Sequence, residues 1–141
     1  MYAINKISVE IKPDCIDDKQ CVISVIVSNI TNNILQVDPL SLPYSASYEN
    51  NFFKLTNSAT KQKIEYIGKY MKMREFQRDQ YLLLHPGKPL AFKVNLCSLY
   101  DIEKASNIVI VYDFLSRYYT KDSDETQTQH LKSNILEIKI H

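Results

Sequence analysis

Residues 80–114 read QYLLLHPGKPLAFKVNLCSLYDIEKASNIVIVYDF, and their pattern decides the fold. Tyr81 to Leu84 is an apolar run closed by His85-Pro86-Gly87. Proline presets φ near −65° there and glycine accepts the positive φ of a tight reversal. Beyond the turn, Leu90, Phe92, Val94 and Leu96 alternate with Ala91, Lys93, Asn95 and Cys97, the period-two pattern of a strand with one buried face. Ser98 to Ser106 carries no helical stripe, and Ile108 to Tyr112 resumes as a β-branched run suited to a central strand.

The same reading extends outward. Ile7, Val9 and Ile11 alternate with Ser8, Glu10 and Lys12 until Pro13, which predicts a first, edge strand. Cys21 to Val27 (CVISVIV) is the most β-branched run and predicts a second strand, ended near Ser28 by turn-forming side chains. Ile34, Leu35 and Val37 predict a short third strand stopped by Asp38-Pro39. Leu40 to Asn51, with a proline and many polar residues, is expected to cross between sheets. Phe52, Phe53 and Leu55 begin a fourth strand, turned back at 56–60 and followed by Ile64, Tyr66 and Tyr70. Met71 to Gln80 has helix-friendly composition but no good N-cap, so it is expected to be a helical turn or structured loop. Ser116 to Gln129 is expected to be an exposed hairpin loop before a last strand over Leu131 to Ile140.

Seven to eight short strands, two glycines and no sustained 3.6-residue period predict one all-β domain over residues 1–141, an immunoglobulin-like antiparallel β-sandwich. A chain of 141 residues hides about 70% of its unfolded surface and needs neither disulfide nor metal to fold. Of three cysteines, Cys15 and Cys21 flank a polar connection, so a bridge across that hairpin is one reading and two unpaired thiols at strand ends the other. Cys97 has no cysteine near it in sequence and is expected to be a buried free thiol.

Seventeen Lys and Arg against sixteen Asp and Glu leave no global field for nucleic acid or an anionic membrane. No run approaches the ~18 apolar residues of a membrane span. The opening residues 1–6 lack the basic start and apolar middle of a secretory signal, while a mature form with its signal removed and Met1 added is equally compatible. His85, His130 and His141 have no zinc-binding spacing, and there is no G-x-S-x-G elbow or glycine-rich phosphate loop. No metal, cofactor or enzymatic activity is therefore expected.

Lys61 to Arg78 stands out because Lys61, Lys63, Lys69, Lys72, Arg74 and Arg78 meet only Glu65, Glu75 and Asp79, with Tyr66, Tyr70 and Phe76 interleaved. One reading is a solvated strand pair and loop whose aromatics face the core. The other is a protein-contact surface, since Tyr and Arg are enriched at the centre of interfaces. Lys69, Lys72, Arg74, Arg78, Tyr66 and Tyr70 are its candidate residues, and Tyr44, Tyr48, Tyr118 and Tyr119 fall in predicted loops.

The order Asn51-Phe52-Phe53, Tyr66-Ile67-Gly68, Lys72, Gln80-Tyr81, Leu84-His85-Pro86-Gly87, Val94-Asn95-Leu96, Leu99-Tyr100-Asp101-Ile102, Val109 to Tyr112 and Leu131-Lys132-Ser133-Asn134 resembles one known arrangement. It is the β-sandwich segment that precedes the catalytic domain in bacterial peptidyl-lysine metallopeptidases of the deuterolysin (aspzincin) type. The resemblance covers about Ile7 to Ile140; it departs at Lys72-Met73, at the proline-free Arg74 to Asp79, and at Gln80, where a Lys-Arg pair, a proline and an acidic residue are expected. It implies a non-catalytic pro-region or accessory module standing alone, with a zinc metallopeptidase as partner and the periplasm or secreted medium as compartment, the cytoplasm remaining open. It also implies that Lys69 or Lys72 could occupy a lysine-preferring pocket. The alternative is a structural or adhesive sandwich subunit of a cell-envelope assembly, self-associating through edges such as Ile7 to Ile11 or Leu131 to Ile140.

Overall fold

The computed structural model describes residues 5–17, 19–44, 50–70, 75–103 and 107–140. Nine strands are found among them: β1 (Ile7–Ile16), β2 (Cys21–Asn29), β3 (Leu35–Val37), β4 (Phe53–Asn57), β5 (Leu82–Leu84), β6 (Leu90–Asn95), β7 (Asn107–Tyr119), β8 (Gln127–Lys132) and β9 (Leu136–Lys139). They form two antiparallel sheets, one of β1-β2-β6 and a six-stranded one built on β7. The all-β sandwich anticipated from the strand pattern is the observed architecture. The single core lies between the sheets, where Ile7, Val9 and Ile11 of β1 and Ile23, Val25 and Val27 of β2 meet Leu55, Ile108, Ile110 and Tyr112.

The thirteen residues of β7 serve as the spine because they carry partners on both sides and at both ends. Its first half pairs with β4 on one side and β9 on the other, and its second half with β3 and β8. Inward positions Ile108, Ile110, Tyr112, Ser116 and Tyr118 are buried, and the hydroxyl of buried Ser116 shares a 2.8 Å hydrogen bond with that of buried Ser41. The Tyr112 hydroxyl donates to the Ser41 carbonyl at 2.7 Å. Every buried polar side-chain atom of the described residues is thereby partnered.

Several sequence expectations are corrected here. The segment 40–51 does not cross between sheets, since β3 and β4 both pair with β7. One crossing lies at the His85-Pro86-Gly87 turn, with Gly87 at φ +73°: β5 joins β3 in one sheet and β6 joins β2 in the other. Ser116 to Gln129 is half strand, because β7 continues to Tyr119 and β8 begins at Gln127, which leaves 120–126 as the loop. The expected last strand divides into the end of β8 and β9. Ile64 and Tyr66 lie outside any strand, with isolated bridges only between Thr56 and Lys63 and between Tyr66 and Tyr100. Of the expected helical turn over Met71 to Gln80, residues 75–80 are described and only Arg78–Gln80 form a 3₁₀ turn.

The Cys15–Cys21 bridge is also corrected. Without irregularity, pairing Pro13 with Ile23 would place Cys15 opposite Cys21, but the register shifts between Pro13 and Cys15. Cys15 then pairs with Val22 and Ile16 with Cys21, so the two thiols point to opposite faces and both are free. The cause is local: proline lacks the N–H that a ladder needs and settles at a bulge, and one extra residue turns the following side chains over.

Candidate partner-binding surface

The basic, aromatic segment is built upward from Tyr100. Its ring is buried, and its hydroxyl accepts from the Phe53 amide at 3.0 Å and donates to Asn51 Oδ1 at 2.6 Å. Burial pushes that hydroxyl's pKa up, so it remains a neutral donor. Tyr66 packs edge-on against Tyr100 with ring centroids 5.3 Å apart, and Tyr70 against Tyr66 at 4.9 Å. The backbone is fixed to the same platform, with the Ile67 amide donating to the Leu99 carbonyl at 2.8 Å and the Asp101 amide to the Glu65 carbonyl at 3.0 Å.

Gly68 makes the stack feasible. A Cβ there would lie 2.6 Å from the Tyr66 hydroxyl and 2.9 Å from Leu99 Cδ2. With no side chain in the way, the Tyr66 hydroxyl passes over Gly68 and donates to the Lys69 carbonyl. The result is an ordered backbone that presents Ile67 and Tyr70, 60% and 66% exposed, to solvent beside exposed Lys69. Lys61 and Lys63 are exposed as well, and none of these three lysines forms an ion pair among the described residues.

The six candidate residues thus separate. Tyr66, Lys69 and Tyr70 come together, whereas Lys72 and Arg74 lie outside the described residues. Arg78 packs elsewhere. Its guanidinium donates to Gln36 Oε1 at 2.7 Å and to the carbonyls of Ser123 and Thr120 at 3.0 Å each, and it stacks 4.5 Å from the Tyr119 ring. All of this ties the 78–80 turn to β3 and the 120–124 loop, which is the work of a clamp. Tyr118 and Tyr119, expected in a loop, lie at the end of β7, where Tyr118 is buried and Tyr119 packs 5.1 Å from Tyr81. Tyr44 is 47% exposed, and Tyr48 lies outside the described residues.

The chain matches no family model and no curated protein.

One cluster was not legible in the sequence. On the outer face of β7, Asp113 receives His130 from β8 and Lys54 from β4, the latter at 3.0 Å, although the Asp113 side chain is only 7% exposed. Burial pushes the Asp113 carboxyl up, but hydrogen bonds and charge from His130 and Lys54 outweigh it and hold the carboxyl below its usual range. The pair has the shape of the base half of a hydrolytic triad. Nothing nucleophilic among the described residues hydrogen-bonds to His130, and its cross-strand neighbour is Leu115. The arrangement is a surface ion network joining three strands. Among the described residues no three His, Cys, Asp or Glu side chains are placed to hold a metal ion, and no helix is long and apolar enough to cross a membrane.

Proposed function

We propose that this protein is a non-enzymatic binding module of the peptidase pro-region kind, acting in trans on a zinc metallopeptidase in the periplasm or outside the cell. The observation that carries the proposal is the exposed Ile67-Lys69-Tyr70 surface, held on the buried Tyr100 platform. An anchored aromatic flanked by a solvated lysine is preorganised, so little entropy is lost when a partner covers it. Lys69 has a fixed backbone and an exposed side chain, which suits insertion into a pocket that prefers lysine. The family resemblance of Tyr66-Ile67-Gly68 and its neighbours supplies the class of partner.

The competing reading, an envelope subunit that polymerises through its β1 edge, is disfavoured by a specific feature. The Ile7 and Ile11 backbone groups on that edge are already hydrogen-bonded to the side chains of Gln129 and Asn134.

The test is a capture experiment with the purified chain and the secreted and periplasmic proteins of its source organism. A zinc metallopeptidase should be recovered stoichiometrically and should be lost when Lys69→Ala is combined with Lys72→Ala. Tyr70→Ala should weaken the complex by about 1–2 kcal/mol, roughly five- to thirtyfold. Equal recovery by parent and variants, or recovery of envelope structural proteins alone, would remove the proposal. Arg78 is unsuitable as the probe, since its loss would release the clamp on β3 and confuse folding with binding.

A further inference from the structure

The thiol that the sequence leaves unpartnered is the one that the fold supplies to Cys21. At the end of β6 the chain turns at once into a 3₁₀ turn over Leu96–Ser98, and the side chain of Asn95 caps it by accepting from the Cys97 amide at 3.3 Å. The same Asn95 Oδ1 accepts from the Cys21 amide at 3.1 Å, so the backbones of the two cysteines converge on one oxygen atom. The two side chains are close enough for each thiol to shift the ionisation of the other. Both thiols are free in this structure. Cys15, on the opposite face after the register shift, is bound instead into the hairpin turn, where its sulfur accepts from Gln20 Nε2 at 3.1 Å.

We infer that Cys21 and Cys97 form the structural disulfide of this protein, joining β2 to the turn after β6, and that Cys15 remains the free thiol. The bond closes as the chain folds against a disulfide oxidant such as glutathione disulfide. The Cys97 thiol, half-buried and therefore accessible, loses its proton and attacks one glutathione sulfur, releasing one glutathione thiolate and leaving a mixed disulfide. The Cys21 thiolate then attacks the Cys97 sulfur and expels the second glutathione. One protein disulfide and two glutathione thiols result from two protein thiols and one glutathione disulfide. Burial pushes the Cys21 thiol up to about 12 and raises Cys97 as well, so neither is a fast sensor once folded. Such a pair belongs to a chain that folds in an oxidising compartment.

The experiment is to refold the full chain, reduced and denatured, in a glutathione redox buffer near pH 8, alkylate, and map the peptides by mass spectrometry. The expected product has a Cys21–Cys97 cross-link and one alkylated thiol, at Cys15. Its unfolding midpoint should stand roughly 5–15 °C above that of the same protein in dithiothreitol. Cys97→Ser should give no cross-link and a midpoint that dithiothreitol does not move. Three alkylated thiols after refolding, any cross-link that includes Cys15, or a Cys21–Cys97 form melting no higher than the reduced protein would each overturn the assignment.

Discussion

At the scale of single residues, the consequences follow from space and charge. Gly68→Ala would put a methyl group inside contact distance of both Tyr66 and Leu99. Tyr66 is wedged between Tyr70 and Tyr100 and has little room to yield. We expect the variant to lose about 1–3 kcal/mol of stability by thermal or urea unfolding, the cost of overpacking. It should weaken partner capture too, because the Lys69 carbonyl loses the hydroxyl that fixes it. Two aspartates, Asp113 on β7 and Asp38 just after β3, behave oppositely. The carboxyl of Asp113 is held low by His130 and Lys54, so its contribution is fully present above the unfolded pKa and disappears as pH falls through the lower folded value. The carboxyl of Asp38 is raised, chiefly by burial, against partial relief from the Leu40 amide and Arg117. Its charge therefore costs stability above the folded pKa, and that cost is removed as pH falls through it. Accordingly Asp113→Asn should lower the melting temperature at neutral pH and flatten the acid limb of the stability profile. Asp38→Asn should hold or raise it at neutral pH, since an asparagine oxygen can still accept from the Leu40 amide, which Asp38 Oδ1 holds at 3.0 Å. Melts of both variants at neutral and acid pH decide it, and shifts of the same sign would contradict the assignment.

Among the elements, alternation of side chains made β1, β2, β6 and the centre of β7 legible, because each has one face in the core and one in solvent. The extension of β7 through Leu115, Arg117 and Tyr119 was not. There the outward positions carry large or aromatic side chains and the inward Ser116 is polar, so the hydrophobic period fades where the strand continues. Ser116 reads as loop until Ser41 is seen to meet its hydroxyl. Likewise Pro86-Gly87 correctly marked a reversal but not which sheet received each arm. That information lies in Asn29, whose buried side-chain amide donates to the carbonyls of Leu84 and Asn33 at 2.8 and 2.7 Å. It thereby knots together two of the connections that pass between the sheets, from β2 to β3 and from β5 to β6. The Cys15 face was lost for a related reason, since one unpaired residue after Pro13, Asp14, inverts a parity argument. In the candidate surface, residue types pointed to the segment. Only packing could divide Arg78, a clamp, from Tyr70, which rests on the Tyr66 ring and is 66% exposed.

For the whole molecule, the question is what covers the open edges of a sandwich of two sheets. Along the β1 side the answer is a pair of side-chain amides that imitate a strand. Gln129 accepts from the Lys6 and Ile7 amides at 3.0 and 3.1 Å and donates to the Ile7 carbonyl at 2.7 Å. Asn134 does the same for Ile11, accepting at 2.8 Å and donating at 3.1 Å. These contacts fasten β1 to β8 and to the link between β8 and β9, closing one side of the sandwich and occupying the groups through which an added strand would bind. Replacing both with leucine would leave the Ile7 and Ile11 groups unpaired beside new apolar surface, each unsatisfied group costing about 1–3 kcal/mol when desolvated. A copy of β1 from another molecule could satisfy them. We therefore expect the Gln129→Leu, Asn134→Leu double variant to be less stable than the parent and to associate with rising concentration in sedimentation velocity, under conditions where the parent does not. A variant that loses stability yet sediments as the parent does at every concentration would show that the amides act only as internal ties. Self-association of the parent that the substitutions leave unchanged would locate its interface on another edge, the β6 side of the smaller sheet being the one these amides do not cover.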